Sequence, residues 1–155
     1  MTVPLPIVPS ILVFGWGNRS RGDDALGPLC IESLRASVEP GAGVEFLDDY
    51  QLQIEHSLDL VGRARVLFID ASLSGCAPFE ISNLHAAPDA SLGTHALSPS
   101  ALLHVFWELR GEAAPPSTLL AIRGECFELG APPSEVARSN LLQALEWCRC
   151  WLRSY

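Results

Sequence analysis

The sequence predicts an α/β sandwich with helices on both faces of its sheet. Two short, continuous apolar runs, Ile11-Leu12-Val13-Phe14 and Val66-Leu67-Phe68-Ile69, have the composition of strands buried on both sides. Between and after them lie segments whose apolar residues recur at helical spacing. Strands that alternate with helices, and that lack an in–out alternation of their own, belong to sheets covered on both faces. A length of 155 residues suits one domain, taken as 1–155, and no repeat or interdomain linker divides it. A hydrophobic fraction of 48% against 18% charged suffices for a packed core and excludes disorder as the main state.

The elements follow in order. The first apolar run leads into a glycine-bearing loop, Gly15-Trp16-Gly17-Asn18-Arg19-Ser20-Arg21-Gly22, closed by Asp23-Asp24. Asp23 is expected to cap a helix reaching about Val38, with Leu26, Leu29, Cys30 and Leu34 on its apolar side. Pro40-Gly41-Ala42-Gly43 is a turn, and 44–47 a second short strand followed by Asp48-Asp49. The span 53–62 reads as a helix with Ile54, Leu58 and Val61 on one side. The second buried run follows and is expected to end at Asp70. Residues 78–84 alternate well enough for another strand. Ser98-Pro99 is a strong helix start, with Ser as N-cap and Pro at the first helical position, and the helix continues over 101–109. Pro115-Pro116 links it to a strand at 118–122. Pro132-Pro133-Ser134 opens a long last helix, to which Val136, Leu141, Leu145 and Leu152 contribute apolar positions.

A formal net charge of −8 argues against nucleic acid and anionic membranes as partners and leaves a cation or a basic peptide as fitting ligands. The five cysteines are odd in number and match no zinc-ribbon or knuckle spacing, so they read as reduced and mostly buried thiols. Residues 1–10 contain three prolines and no Lys or Arg, unlike a secretory signal or a transit peptide. No apolar run approaches the ~20 residues of a membrane span. The expected location is the cytoplasm.

Ligands of open α/β sheets bind beyond the carboxyl ends of the strands. Glycine loops after a first strand usually receive phosphate, but this one ends in two carboxylates, which repel phosphate and attract a cation. Asp70 ends the second buried run, and Gly93-Thr94-His95 precedes the helix that starts at Ser98. Two carboxylates and an imidazole from three loops make an O/O/N metal site with open positions, suited to nickel, zinc, manganese or iron. Each residue also has an ordinary structural role: Asp23 as a cap, Asp24 as a macrodipole partner, Asp70 as a turn acceptor, and His95 as a surface or structural histidine. His56, His85 and His104 have no evident acidic partner at a strand end. Gly15-x-Gly17-x-x-Ser20 lacks the third glycine of the dinucleotide fingerprint, although Asp48 leaves that reading open as a ribose-binding acid. No Gly-x-Ser-x-Gly elbow or thiol-protease signature is present. Thr94 and His95 form a nucleophile–base pair only if their side chains meet.

Gly15-x-Gly17-Asn18-x-x-x-Gly22-Asp23-Asp24-x-x-Gly27, then Phe68-Ile69-Asp70-Ala71, then Thr94-His95-x-Leu97-Ser98, resembles the nickel–iron hydrogenase maturation endopeptidases in motif order and spacing. The resemblance covers nearly the whole chain. It implies a three-layer α/β/α sandwich with a twisted, mixed sheet of about five strands. It implies removal of a C-terminal extension from the precursor of the hydrogenase large subunit, after nickel insertion. By position, Asp24, Asp70 and His95 are then the catalytic and nickel-contacting groups. Nickel is supplied by the precursor, and no organic cofactor is implied. Gly17, Asn18, Gln51 and Gln53 are the expected substrate-contacting residues. Where many members carry a Gly-Thr-x-Gly type segment, this chain has Asp49-Tyr50-Gln51-Leu52-Gln53-Ile54-Glu55-His56, which resembles the branch serving soluble, NAD-reducing hydrogenases. A self-contained metal-dependent hydrolase and a non-catalytic precursor-binding factor are the alternative readings.

Overall fold

The computed structural model describes residues 7–89 and 97–154. Its chain runs β1 (Ile11–Trp16), a 3-10 turn (Gly22–Ala25), α1 (Leu26–Ser37), β2 (Val44–Asp49), a 3-10 helix (Ile54–Leu60), β3 (Arg65–Ser72), β4 (Phe79–Asn83), α2 (Pro99–Arg110), β5 (Ser117–Arg123) and α3 (Glu135–Arg153). The five strands form one mixed sheet in the order β2-β1-β3-β5-β4. All neighbours are parallel except β4, which runs antiparallel to β5 at the edge. This is the expected α/β architecture.

Period-two alternation sorts the strand side chains onto two cores. Ile11 and Val13 of β1, with Leu67 and Ile69 of β3 and Leu120 and Ile122 of β5, pack against α1 and α3. Leu12, Phe14 and Trp16, with Val66 and Phe68, pack against α2 and the 54–60 helix. The apolar runs 11–14 of β1 and 66–69 of β3 are thus continuous because both faces are covered, as their sequence requires.

Helix starts follow local chemistry. Ser98 Oγ accepts the Ala101 N–H at 3.1 Å, with Pro99 at the first helical position. Ser134 Oγ accepts the Ala137 N–H at 3.2 Å at the head of α3. The buried face of α3 is Ala137, Asn140, Leu141, Ala144, Leu145 and Cys148, the spacing of one helix face. Val136, expected to join it, is 43% exposed because it lies off that stripe.

Three further expectations are corrected. The span 53–62 forms a single short 3-10 helix, which turns Ile54 and Leu58 outward and buries Ser57 and Leu60. A three-residue turn places residues on different faces from a 3.6-residue one. The third strand does not stop at Asp70 but pairs with β5 through Ser72, opposite Arg123. Asp23 does not cap the helix that follows it; that turn has no side-chain cap.

The order of the strands fixes where the site lies. From β1 the chain crosses by α1 to β2 on one side, then returns to lay β3 on the other side of β1. Such a reversal opens a crevice beyond the carboxyl ends of β1 and β3. Close packing of α1 here depends on Gly27: a Cβ on it would stand 2.5 Å from the Trp16 carbonyl oxygen and 2.9 Å from that of Ile69.

Candidate active site at the β1 and β3 strand ends

β1 delivers the glycine loop to the mouth of this crevice. Gly17 sits at φ +150°, and a Cβ on it would fall 1.9 Å from the Asp24 carbonyl oxygen. No other residue lets the loop fold back this closely. The return brings the Asn18 N–H to Asp24 Oδ2 at 2.7 Å, while Asn18 Oδ1 accepts the Ser20 N–H at 2.8 Å.

The loop spends its amides internally. The N–H of Gly17 goes to the Asp49 carbonyl, that of Arg21 to Asn18, that of Gly22 to Ala131, that of Asp23 to Cys126 and that of Asp24 to Arg21. Those of Asn18 and Ser20 are taken by the side chains already named. A phosphate cradle needs free N–H groups converging on an anion, and these are committed elsewhere. Asp48 is held by Arg19 and Arg35, each at 3.3 Å, instead of standing ready for a ribose. The dinucleotide reading loses both its supports.

Adjacent Asp23 and Asp24 have opposite fates. Asp23 is fully buried. Its carboxylate accepts the N–H of Glu125 at 2.7 Å, of Cys126 at 3.0 Å and of Ser134 at 2.6 Å, and the Ser134 hydroxyl at 2.7 Å. Burial alone would push its carboxyl up, but the backbone donors of Cys126, Glu125 and Ser134 and the Ser134 hydroxyl hold it below the usual range. Asp23 therefore ties the glycine loop to the segment that starts α3, and with four donors on a fully buried carboxylate it faces no ligand.

Asp24 is only half-buried, and the bond from Asn18 occupies one of its oxygens. Asp70 lies on β3, on the strand face shared by Val66 and Phe68. One of its oxygens accepts the Ala71 N–H at 2.8 Å. Burial, and after it the negative charge of Asp24, raises the Asp70 carboxyl to about 7 against the pull of the Ala71 N–H. Two carboxylates whose charges oppose each other, each with an oxygen accepting no hydrogen bond among the described residues, make a cation-attracting pair. The structure thus brings two of the three expected ligands together. The third, His95, and its neighbour Thr94 lie outside the described residues, and among the described residues no group of three His, Cys, Asp or Glu side chains stands ready for a metal.

Beside the pair, Gly17, Asn18, Asp48, Asp49 and Tyr50 line an open groove of about 340 Å³. Gly17 and Asn18, two of the expected substrate-contacting residues, thus lie on its wall. Gln51 and Gln53 are exposed and outside that groove.

One histidine has a partner that sequence reasoning missed. His56 Nε2 lies 3.0 Å from Asp49 Oδ2, at the carboxyl end of β2. Its Nδ1 accepts the Gln53 N–H at 2.8 Å, and its ring packs edge-on against Phe14 with centroids 4.6 Å apart. A backbone donor on Nδ1 fixes the tautomer, so Nε2 carries the proton and donates it to Asp49. The seven-residue separation of Asp49 and His56 was a usable signal once a tight turn between them was allowed.

No protein-family model matches this sequence, and no curated protein matches it. Solved structures do. A NiFe hydrogenase maturation protease, HycI, from Thermococcus kodakarensis KOD1 superposes with a TM-score of 0.75 at 23% identity, over 94% of this chain and 93% of that one. The hydrogenase maturating endopeptidase HybD from E. coli gives 0.74 at 27% identity, over 93% and 92%. An endopeptidase from E. coli solved in solution gives 0.74 at 25% identity, with the same coverage.

Proposed function

We infer that this chain is a nickel–iron hydrogenase maturation endopeptidase, a hydrolase that removes the C-terminal extension of the large-subunit precursor. The observation that carries this is the carboxylate pair, Asp24 and Asp70, at the β1–β3 crevice of a fold shared over 93% of the chain with the hydrogenase maturating endopeptidase HybD from E. coli.

The nickel belongs to the substrate. Asp24 and Asp70 supply two oxygen donors, and we assign His95 as the third. The character of Asp70 supports the two carboxylates as donors: a carboxyl lifted to about 7 by burial and by a neighbouring carboxylate gains most from a divalent cation nearby. Docking of a nickel-loaded precursor ionises Asp70 and releases its proton, so recognition strengthens as pH rises toward and past 7. An acid poised there is also suited to exchange a proton with a water at the scissile bond.

Gly17 and Asn18 line the groove, and Asn18 also donates its backbone N–H to Asp24, so we place the incoming precursor segment along it. We assign choice among precursors to the 49–56 segment, with Gln51 and Gln53 exposed on it, and read it as suited to the soluble, NAD-reducing type. No described helix is long and apolar enough to cross a membrane. All five cysteines are free, as fits action in the reducing cytoplasm.

The test incubates nickel-loaded and nickel-free precursor with wild type and with Asp24→Ala, Asp70→Ala and His95→Ala, and reads the precursor's C-terminus by mass spectrometry. Wild type is expected to cut only the loaded precursor, and each variant to lose most of that cleavage. Three fully active variants would remove the site. Equal cleavage of nickel-free precursor would remove recognition through nickel while leaving the protease.

A further inference from the structure

A continuous set of bonds joins the 3-10 helix at 54–60 to the carboxylate pair. Gln53 N–H holds His56 Nδ1, and His56 Nε2 holds Asp49 Oδ2 at 3.0 Å. The other Asp49 oxygen accepts the Tyr50 N–H at 2.6 Å. Tyr50 Oη accepts the Asn18 side-chain amide at 2.9 Å. The Asn18 backbone N–H in turn donates to Asp24 Oδ2 at 2.7 Å. A parallel bond from Gly17 N to the Asp49 carbonyl, at 3.1 Å, fastens the same loop to the same strand end.

We propose that Tyr50 is a positioning residue for cleavage: its hydroxyl, aimed by the Asp49–His56 pair, fixes Asn18 and through it the carboxylate of Asp24. This rests on the endopeptidase reading. Elsewhere on the loop tip Arg19 pairs with Glu32 and Asp48, and the Ser20 carbonyl accepts the Gly130 N–H at 2.6 Å, but neither hold reaches the Asn18 side chain. Among the described residues, the side chain of Asn18 has two partners, Ser20 within the loop and Tyr50 outside it. Tyr50 is itself 61% exposed, so burial does not place it. What places it is the carboxylate of Asp49, one oxygen on the Tyr50 N–H and the other on an imidazole whose tautomer is fixed from behind. A ligand carboxylate must be held to within a fraction of an ångström for its donor oxygen to meet the metal, and outer partners provide that hold.

The experiment compares Tyr50→Phe, Asn18→Ala and the double variant on nickel-loaded precursor. Tyr50→Phe keeps the ring and its share of the groove wall, and loses only the hydroxyl. It is expected to lower kcat roughly three- to tenfold with KM unchanged, as loss of one exposed hydrogen bond allows. In the Asn18→Ala background the same change is expected to have no further effect, because the residue through which it acts is gone. A rise in KM at constant kcat, or effects that multiply in the double variant, would make Tyr50 a substrate contact and overturn the proposal. A second measurement needs no cleavage. Amide exchange at Asn18 in labelled protein is expected to quicken several-fold in Tyr50→Phe, and unchanged exchange overturns the proposal. Wild type that leaves the precursor intact removes the endopeptidase reading instead, and the exchange result still decides whether Tyr50 holds the loop.

Discussion

Asp24 and Asp70 stand at the carboxyl ends of neighbouring strands, and the charge of the first adds to burial in lifting the carboxyl of the second to about 7. The register sets this up. Gly15 of β1 pairs with Ile69 of β3, so the glycine loop leaves the sheet one residue beyond the level at which Asp70 is reached.

Asp70→Asn is expected to stabilise the protein at high pH. The folded carboxyl lies above its unfolded value, so the folded state binds the extra proton. Stability is therefore fully present below about 4 and declines as pH rises from there to about 7. Asparagine removes that decline. Denaturant melts at pH 4 should coincide with wild type, and at pH 8 should favour the variant by on the order of 1–4 kcal/mol. A wild type more stable at pH 8 than at pH 4 through this residue would contradict the buried-carboxyl account.

Asp24→Asn should lower the Asp70 midpoint without restoring it to an ordinary carboxyl. Burial is the larger cause and survives the substitution, whereas the opposing charge does not. Carbon-detected NMR titration of the Asp70 carboxyl reads this directly. No movement would mean that the two groups do not sense each other.

Asp23→Ala should be costly to the fold. It takes a fully buried carboxylate away from three backbone N–H donors and a hydroxyl in partly buried bonds, a loss of about 2–4 kcal/mol. The Asp23 carboxyl lies below its ordinary value, so the difference from wild type should be full above about pH 4 and shrink as pH falls through the folded midpoint. Thermal melts across pH 2–7 check both parts.

Gly17→Ala should damage the loop more than the sheet. The new methyl would meet the Asp24 carbonyl oxygen, and the loop must open to admit it. Destabilisation of about 1–3 kcal/mol is expected, with near-complete loss of precursor cleavage because the Asn18–Asp24 bond depends on that turn. Cleavage at the wild-type rate would show that the turn does not position Asp24.

Much of the fold was legible because it is local. Continuous apolar runs marked β1 and β3, and Ser98 and Ser134 announced their helices by a cap three residues ahead of its donor. The 54–60 helix is not legible in its pattern, because Ile54, Leu58 and Val61 fit a 3.6-residue period by coincidence while the chain there winds more tightly. Nor is the partner of His56, because Asp49 ends a strand whose apolar pattern stops two residues earlier.

The sequence by itself determined the layers, the element order and which loops carry acids, since these follow from hydrophobic period and capping within a few residues. Only the tertiary structure decided how the acids are used. Asp23 and Asp24 are neighbours of the same type; motif order assigns Asp24 to nickel and leaves Asp23 a cap, but no local pattern supplies the physical reason. Donors 102 to 111 residues away claim Asp23 for the fold. Asp24 is left half-buried beside Asp70, whose own raised carboxyl results from burial on an inner strand whose neighbours no local pattern names. Local patterns set propensities over one or two turns, whereas desolvation and charge pairing act through space between strands brought together only by folding.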